Sequence, residues 1–260
     1  MTTTRLRVRD LRVVLGHGVQ AVEVLHGVSF DIPVGTTVGL VGESGSGKST
    51  IAKTIVGIHR PSSGEILFDG TDITSVSRGQ RKQLARNIQM IPQDPYSSLN
   101  PRRTIGQTLA EALDPARASV RSHRARITEL LELVALDETA IDRYPREFSG
   151  GQRQRIAIAR ALAVQPDLII ADEITSALDL STQAEILDLF EQLRRELHLT
   201  VLFVSHNLAV VRQVSDEVIV LLHGDIVEAG DADRVLLAPE NAYTKRLVAS
   251  VPGGPGFTLD

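Results

Sequence analysis

The segment Gly42-Glu-Ser-Gly-Ser-Gly-Lys48-Ser49-Thr50 combines residue types that can bind a polyphosphate. Gly42, Gly45 and Gly47 allow backbone N–H groups to turn inward around an anion, with Ser44 and Thr50 in the same cradle. Ile51, Ala52, Ile55 and Ile58 follow at helical spacing, so the positive end of a helix is predicted to face that anion. A hydrophobic strand precedes the segment, completing the context that the P-loop pattern requires. Lys48 can reach the β- and γ-phosphates, and the Ser49 hydroxyl suits Mg²⁺. A nucleoside triphosphate is the expected ligand, and these residues taken alone leave a kinase, a GTPase or a helicase open.

Leu168-Ile-Ile-Ala-Asp172-Glu173 is an apolar strand ending in two acids. Ligands of open parallel sheets gather at the C-terminal strand ends, so both carboxylates are expected at the phosphate crevice. Asp172 suits Mg²⁺, usually through water, and Glu173 can polarise the water that attacks the γ-phosphate. Such a pair can also merely cap a helix; Lys48 upstream makes the catalytic reading the stronger one. His206 follows the apolar run Val201-Leu-Phe-Val204 and is placed to contact the γ-phosphate and to orient Glu173 or the water. Gln93, just past Ile88 to Ile91, can sense Mg²⁺ and the attacking water.

The elements that must position these groups are legible as patterns. Arg5 to Val14, Val24 to Ile32 and Thr37 to Val41 read as strands, followed by a helix after the glycine-rich loop. From about Thr104 to Tyr144 the spacing turns helical, with Ile127, Leu130, Leu131 and Val134 on one apolar face. A helix from Ser149, strand Leu168 to Ala171, helix Thr182 to Leu197, strand Thr200 to Val204 and a hairpin around Gly224-Asp225 complete the order. Alternating strands and helices predict a mainly parallel sheet covered on both faces. Capping-box spacing occurs at Ser149 with Gln152 and at Thr182 with Glu185. The tail Pro252-Gly-Gly-Pro-Gly256 reads as loose.

Composition excludes other classes. With 42% hydrophobic and 23% charged residues over 260 positions, the chain is expected to fold around a substantial core. The longest apolar runs, such as Val218 to Leu222, fall far short of the roughly 20 residues that a membrane-crossing helix needs, so a peripheral role is expected. The lack of cysteine rules out disulfides and thiolate metal sites, and the start Met1-Thr-Thr-Thr-Arg5 lacks the build of a secretion signal. A net charge of −4 offers no footprint for nucleic acid, and the basic run Arg121 to Arg126 reads as a solvated helix face.

Phe148-Ser149-Gly150-Gly151-Gln152 resembles the signature motif of ATP-binding-cassette (ABC) ATPases. Physically it is a second glycine-rich helix start with free N–H donors, hence a second phosphate-binding end. The resemblance covers Leu11 to Val227. It implies an α/β, RecA-like P-loop NTPase core with a mainly parallel sheet, N-terminal antiparallel β strands and an inserted α-helical subdomain. The expected division is core over 1–93 and 164–239, helical signature subdomain over 94–163, and tail over 240–260. It further implies ATP and Mg²⁺ as ligands and a head-to-tail dimer, homo- or heteromeric, in which one subunit's signature closes over ATP on the other's P-loop. Ser176-Ala-Leu-Asp179 is similar to the loop that touches the opposite site, with Asp179 in contact. Gln93 to Arg102, Phe148 to Arg155 and Ala242 to Pro252 resemble the oligopeptide, dipeptide and nickel importer branch. That branch implies a place on the cytoplasmic face of the membrane, two permease subunits, and an extracytoplasmic substrate-binding protein that delivers solute. The sequence departs from the family pattern in three places: Leu15 stands where an aromatic ring usually meets adenine, Ile174 replaces a proline, and Asn207 replaces an aspartate.

A motor for solute import, with peptides first and nickel or metal chelates behind them, is the leading expectation. A cassette ATPase acting on ribosomes or DNA is the reading from another class; coiled coils, paired cassettes and basic extensions, its usual companions, are missing from this sequence. A noncatalytic regulator fits poorly with intact Lys48, Asp172, Glu173 and His206.

Overall fold

The computed structural model describes residues 3–16 and 18–250 and divides into two compact units, Met1–Ala85 with Leu199–Asp260, and Arg86–His198. The tail from Pro252 lies outside the described residues.

In the first unit, β1 (Thr4–Leu15) pairs antiparallel with β2 (Val22–Pro33) and with β4 (Ser63–Phe68), and β5 (Thr71–Asp72) follows at the edge. Leu6, Val8, Leu11 and Val13 of β1 are all 0% exposed, although strict alternation would put Leu11 on the opposite face from Val8. A register shift between Val8 and Leu11, with Asp10 at a φ of 45°, inserts the residue that returns Leu11 to the core. Each such side chain contributes about 1.5–3 kcal/mol by leaving water.

Also in this unit, β3 (Thr37–Val41), buried along its whole length, runs parallel to β8 (Thr200–Val204) and to β9 (Glu217–Leu222). The expected hairpin is present, with β10 (Asp225–Asp231) antiparallel to β9. Helices α1 (Lys48–Ile55), α8 (Leu208–Val214), α9 (Ala232–Leu237) and α10 (Ala242–Ala249) belong here, and α2 (Arg78–Asn87) carries the chain into the second unit. Helix α1 is shorter than its apolar spacing predicts. Val56 caps it and Gly57 turns at a φ of 77°, which leaves Ile58 off the helix and 64% exposed.

In the second unit, β6 (Ile88–Ile91) runs parallel to β7 (Leu168–Asp172), with Ile91 opposite Ala171. It also holds α3 (Pro95–Ser98), α4 (Ile105–Leu113), α5 (Val120–Leu133), α6 (Gly150–Leu162) and α7 (Leu180–Leu197). Ile127, Leu130, Leu131 and Val134 are 0% exposed, so the apolar face expected of this stretch is a packed one. The basic run is a solvated face, with Arg124 paired to Glu138 and Arg126 to Glu129. Helix α7 starts two residues before Thr182, and the Thr182–Glu185 capping box does not form. Asp179 caps the helix instead, accepting the Thr182 N–H at 3.0 Å, because an aspartate outranks a threonine as a cap. Glu185 pairs with Arg155 at 3.2 Å.

The parallel pairs β3/β8, β3/β9 and β6/β7, the antiparallel N-terminal sheet and the helical subdomain make this the α/β fold that the alternation predicts. Among the described residues, no helix is long and apolar enough to cross a membrane.

Candidate functional site

The phosphate loop joins β3 to α1. Gly42 sits at a φ of 152°, and a Cβ there would lie 2.1 Å from the Leu221 carbonyl oxygen, so a side chain is excluded on two grounds. Gly47, at a φ of 109°, is the N-cap of α1 and has no side chain to cap it, so the positive end of the helix faces the loop. Lys48 is only 5% exposed; its Nζ donates to the carbonyls of Gly42 and Glu43, each at 2.8 Å. The ammonium is thus folded back over the loop where a phosphate would be cradled. Ser44 and Gly45 are exposed, and Ser49 and Thr50 are half-buried. On the neighbouring strand Leu40 is level with Val204, so Ser205 and the exposed His206 leave β8 at the same sheet edge as the loop. Asn207 caps α8, its Oδ1 accepting the N–H groups of Ala209 and Val210, bonds that an aspartate could also make.

In the second unit the parallel register brings Gln93 and the acid pair to one edge. Gln93 Nε2 donates to Glu173 Oε2 at 2.9 Å and to Ser176 Oγ at 3.1 Å. Asp172 is buried at 5% exposure, and Glu173 is half-buried at a φ of 49°, left-handed backbone that costs a non-glycine residue about 1–2 kcal/mol. The turn that holds it is closed by the Ser176 N–H and hydroxyl, which both donate to the Glu173 carbonyl at 3.1 and 2.9 Å. The Glu173 residue is thus held at its backbone by this turn and at its carboxylate by the Gln93 amide. Ile174, where a proline is usual, is 1% exposed and fills the core below.

The signature segment forms the capping box that its spacing predicts. The Gln152 N–H donates to Ser149 Oγ at 3.2 Å, and the Ser149 N–H to Gln152 Oε1 at 3.0 Å. A Cβ on Gly151 would lie 2.3 Å from Thr182 Cγ2, so α6 begins against the first turn of α7, where Asp179 sits. Signature and Asp179 are thereby neighbours within one unit. The Ser181 hydroxyl at 2.6 Å, followed by the Thr182 N–H and hydroxyl, holds the Asp179 carboxyl well below the usual carboxylate range. This cap is therefore ionised at neutral pH, and its support is lost only as the medium turns strongly acidic. Ser149→Ala is expected to cost about 1 kcal/mol and to lower the thermal midpoint by about 2–4 °C, read by calorimetry.

Two contacts have no counterpart in the sequence reading. Ser176 bonds Gln93; its position three residues after Glu173 is a turn signal that could have marked it. Tyr243 Oη accepts the Glu43 N–H at 3.2 Å, and at 200 positions apart in the chain no sequence signal could mark the pair.

The family model for the ABC transporter matches residues 25–176. The chain is 46% identical to the oligopeptide transport ATP-binding protein AppF of Bacillus subtilis, with 89% of this chain and 71% of that protein covered. It is 45% identical to OppF of the same organism over 97% of this chain and 84% of the relative. It is 46% identical to the di/tripeptide transport protein DppF of Pseudomonas aeruginosa over 89% and 72%. Among solved structures, cbiO1 of Clostridium perfringens, part of an ABC transporter complex, superposes with a TM-score of 0.80 at 28% identity, covering 92% of both chains. The dimeric cassette MJ0796 bound to ADP and phosphate superposes with a TM-score of 0.76 at 29% identity, covering 87% of this chain and 98% of that one. The chain therefore belongs to the ABC transporter family, as an ATP-binding and ATP-hydrolysing subunit.

Proposed function

We propose that this subunit powers the import of peptides, and that its working form is a head-to-tail dimer in which the Ser149–Gln152 segment of one copy closes over ATP on the Gly42–Thr50 loop of the other. Isologous pairing of two such half-sites gives two composite sites. The observation that carries the reading is the pair of glycine-rich helix starts in one chain, one holding a buried lysine and the other a completed capping box. In this mechanism Lys48 and the loop amides bind the phosphates, and Glu173 takes a proton from the attacking water. Gln93 holds the Glu173 carboxylate in line, and His206 contacts the γ-phosphate. Hydroxyl, carboxylate and amide oxygens are hard donors suited to Mg²⁺, so Ser49, Asp172 and Gln93 would hold that ion, which neutralises phosphate charge when bound. Asp179 contacts the opposite site, and residues 94–163 pass the closing motion to two permease subunits at the cytoplasmic face of the membrane. A binding protein on the outer side delivers the solute.

The relatives' names support peptides as the solute. A strain lacking this gene is expected to lose uptake of labelled di- to oligopeptides, to regain it with the wild-type chain, and not to regain it with Lys48→Ala. Unchanged peptide uptake in the deletion strain would refute the substrate assignment.

A further inference from the structure

Residues beyond the matched segment reach back to the phosphate loop. Helix α10 begins with Asn241 as N-cap, whose Oδ1 accepts the Tyr243 N–H at 2.8 Å. That helix start is tied to the β9–β10 hairpin: Glu228 accepts the N–H groups of Glu240 at 2.8 Å and Asn241 at 3.2 Å, and Asn241 Nδ2 donates to the Val227 carbonyl at 3.3 Å. The result is a rigid mount for Tyr243, which is 5% exposed and whose Oη accepts the Glu43 N–H at 3.2 Å. Burial, with the Glu43 carboxylate beside it, pushes the Tyr243 phenol up, so the hydroxyl keeps its proton.

Glu43 is also the residue whose carbonyl accepts from Lys48 Nζ at 2.8 Å. The Gly42–Glu43 peptide is therefore held twice, at its carbonyl by Lys48 and at its N–H by Tyr243, and Lys48 also holds the carbonyl of the next peptide. Further along the loop the Gly224 N–H donates to the Ser46 carbonyl at 2.9 Å, so the same hairpin that carries α10 also touches the loop directly. Resting on the reading of Gly42–Thr50 as the phosphate loop, we propose that Tyr243 is a positioning residue that presets this loop for the triphosphate. It acts through the Glu43 peptide and touches no nucleotide itself. Preset amides bind phosphate without an ordering cost, so affinity is the quantity that Tyr243 governs.

Tyr243→Phe keeps the buried ring and removes only the hydroxyl. In the full chain the expected result is a threefold to tenfold weaker affinity for ATP, about one hydrogen bond's worth. Faster amide hydrogen exchange at Glu43 is expected with it, and a fall of the nucleotide-free thermal midpoint of no more than about 2–4 °C, the loss of one hydrogen bond. ATP affinity equal to wild type would overturn the proposal, as would a loss of affinity accompanied by a fall of the nucleotide-free midpoint of more than about 4 °C, which marks a purely structural role. Lys48→Ala, measured alongside, separates the two levels. If ATP binding depends on Lys48 but not on Tyr243, the loop reading stands and the proposal falls; if it does not depend on Lys48, both fall.

Discussion

Glu173→Gln is expected to slow ATP hydrolysis by about two to four orders of magnitude, the range spanned by a lost general base, while ATP affinity changes by less than about threefold. The substitution is nearly isosteric, and the new amide oxygen can still accept from Gln93 Nε2, which now meets Glu173 Oε2 at 2.9 Å. The turn closed by Ser176 is made by backbone and hydroxyl groups that the substitution leaves alone. What disappears is the capacity to take the proton of the attacking water. Because the dimer closes over intact ATP in the proposed mechanism, ATP-bound dimers are expected to accumulate when hydrolysis stops and to be visible by size-exclusion chromatography. Single-turnover phosphate release measures the chemical step. Release at the wild-type rate would move the base to another residue and sink the assignment.

Lys48→Ala is expected to weaken ATP binding by about two orders of magnitude, since charge-assisted bonds to the β- and γ-phosphates are worth about 3 kcal/mol together. A second effect adds to the first. Lys48 is buried, and its Nζ is the shared donor for the Gly42 and Glu43 carbonyls, so the loop loses the tie that curls it. Titration calorimetry with ATP and with adenosine distinguishes the causes: adenosine lacks the phosphates, and its affinity is expected to stay within about threefold of wild type. An equal loss for both ligands would place Lys48 in the fold rather than at the phosphates.

Much of the site could be read in the residues because its chemistry is local. The Lys48 bonds to the Gly42 and Glu43 carbonyls, the capping box of Ser149 with Gln152, and the turn that Ser176 closes on Glu173 each join groups within a few residues of the chain. Their types and spacing therefore carry the information. The errors were local competitions decided by one neighbour. Asp179 outbid Thr182 as the cap of α7, and Gly57 ended α1 before Ile58 could join it. Asn207 shows the converse, a departure from the family pattern that leaves the cap of α8 intact because both residue types present the same oxygen.

The sequence by itself determined the strand and helix order, the phosphate loop and the signature helix start, since period, glycine placement and capping chemistry act over short stretches of chain. Tertiary structure alone decided that Gln93 meets Glu173 and Ser176, that Gly151 lies against Thr182, and that Tyr243 holds the Glu43 peptide. The physical reason is that sheet register and helix packing set which distant side chains meet. Hydrogen bonds between residues 80 or 200 positions apart leave no periodic trace in the chain that makes them.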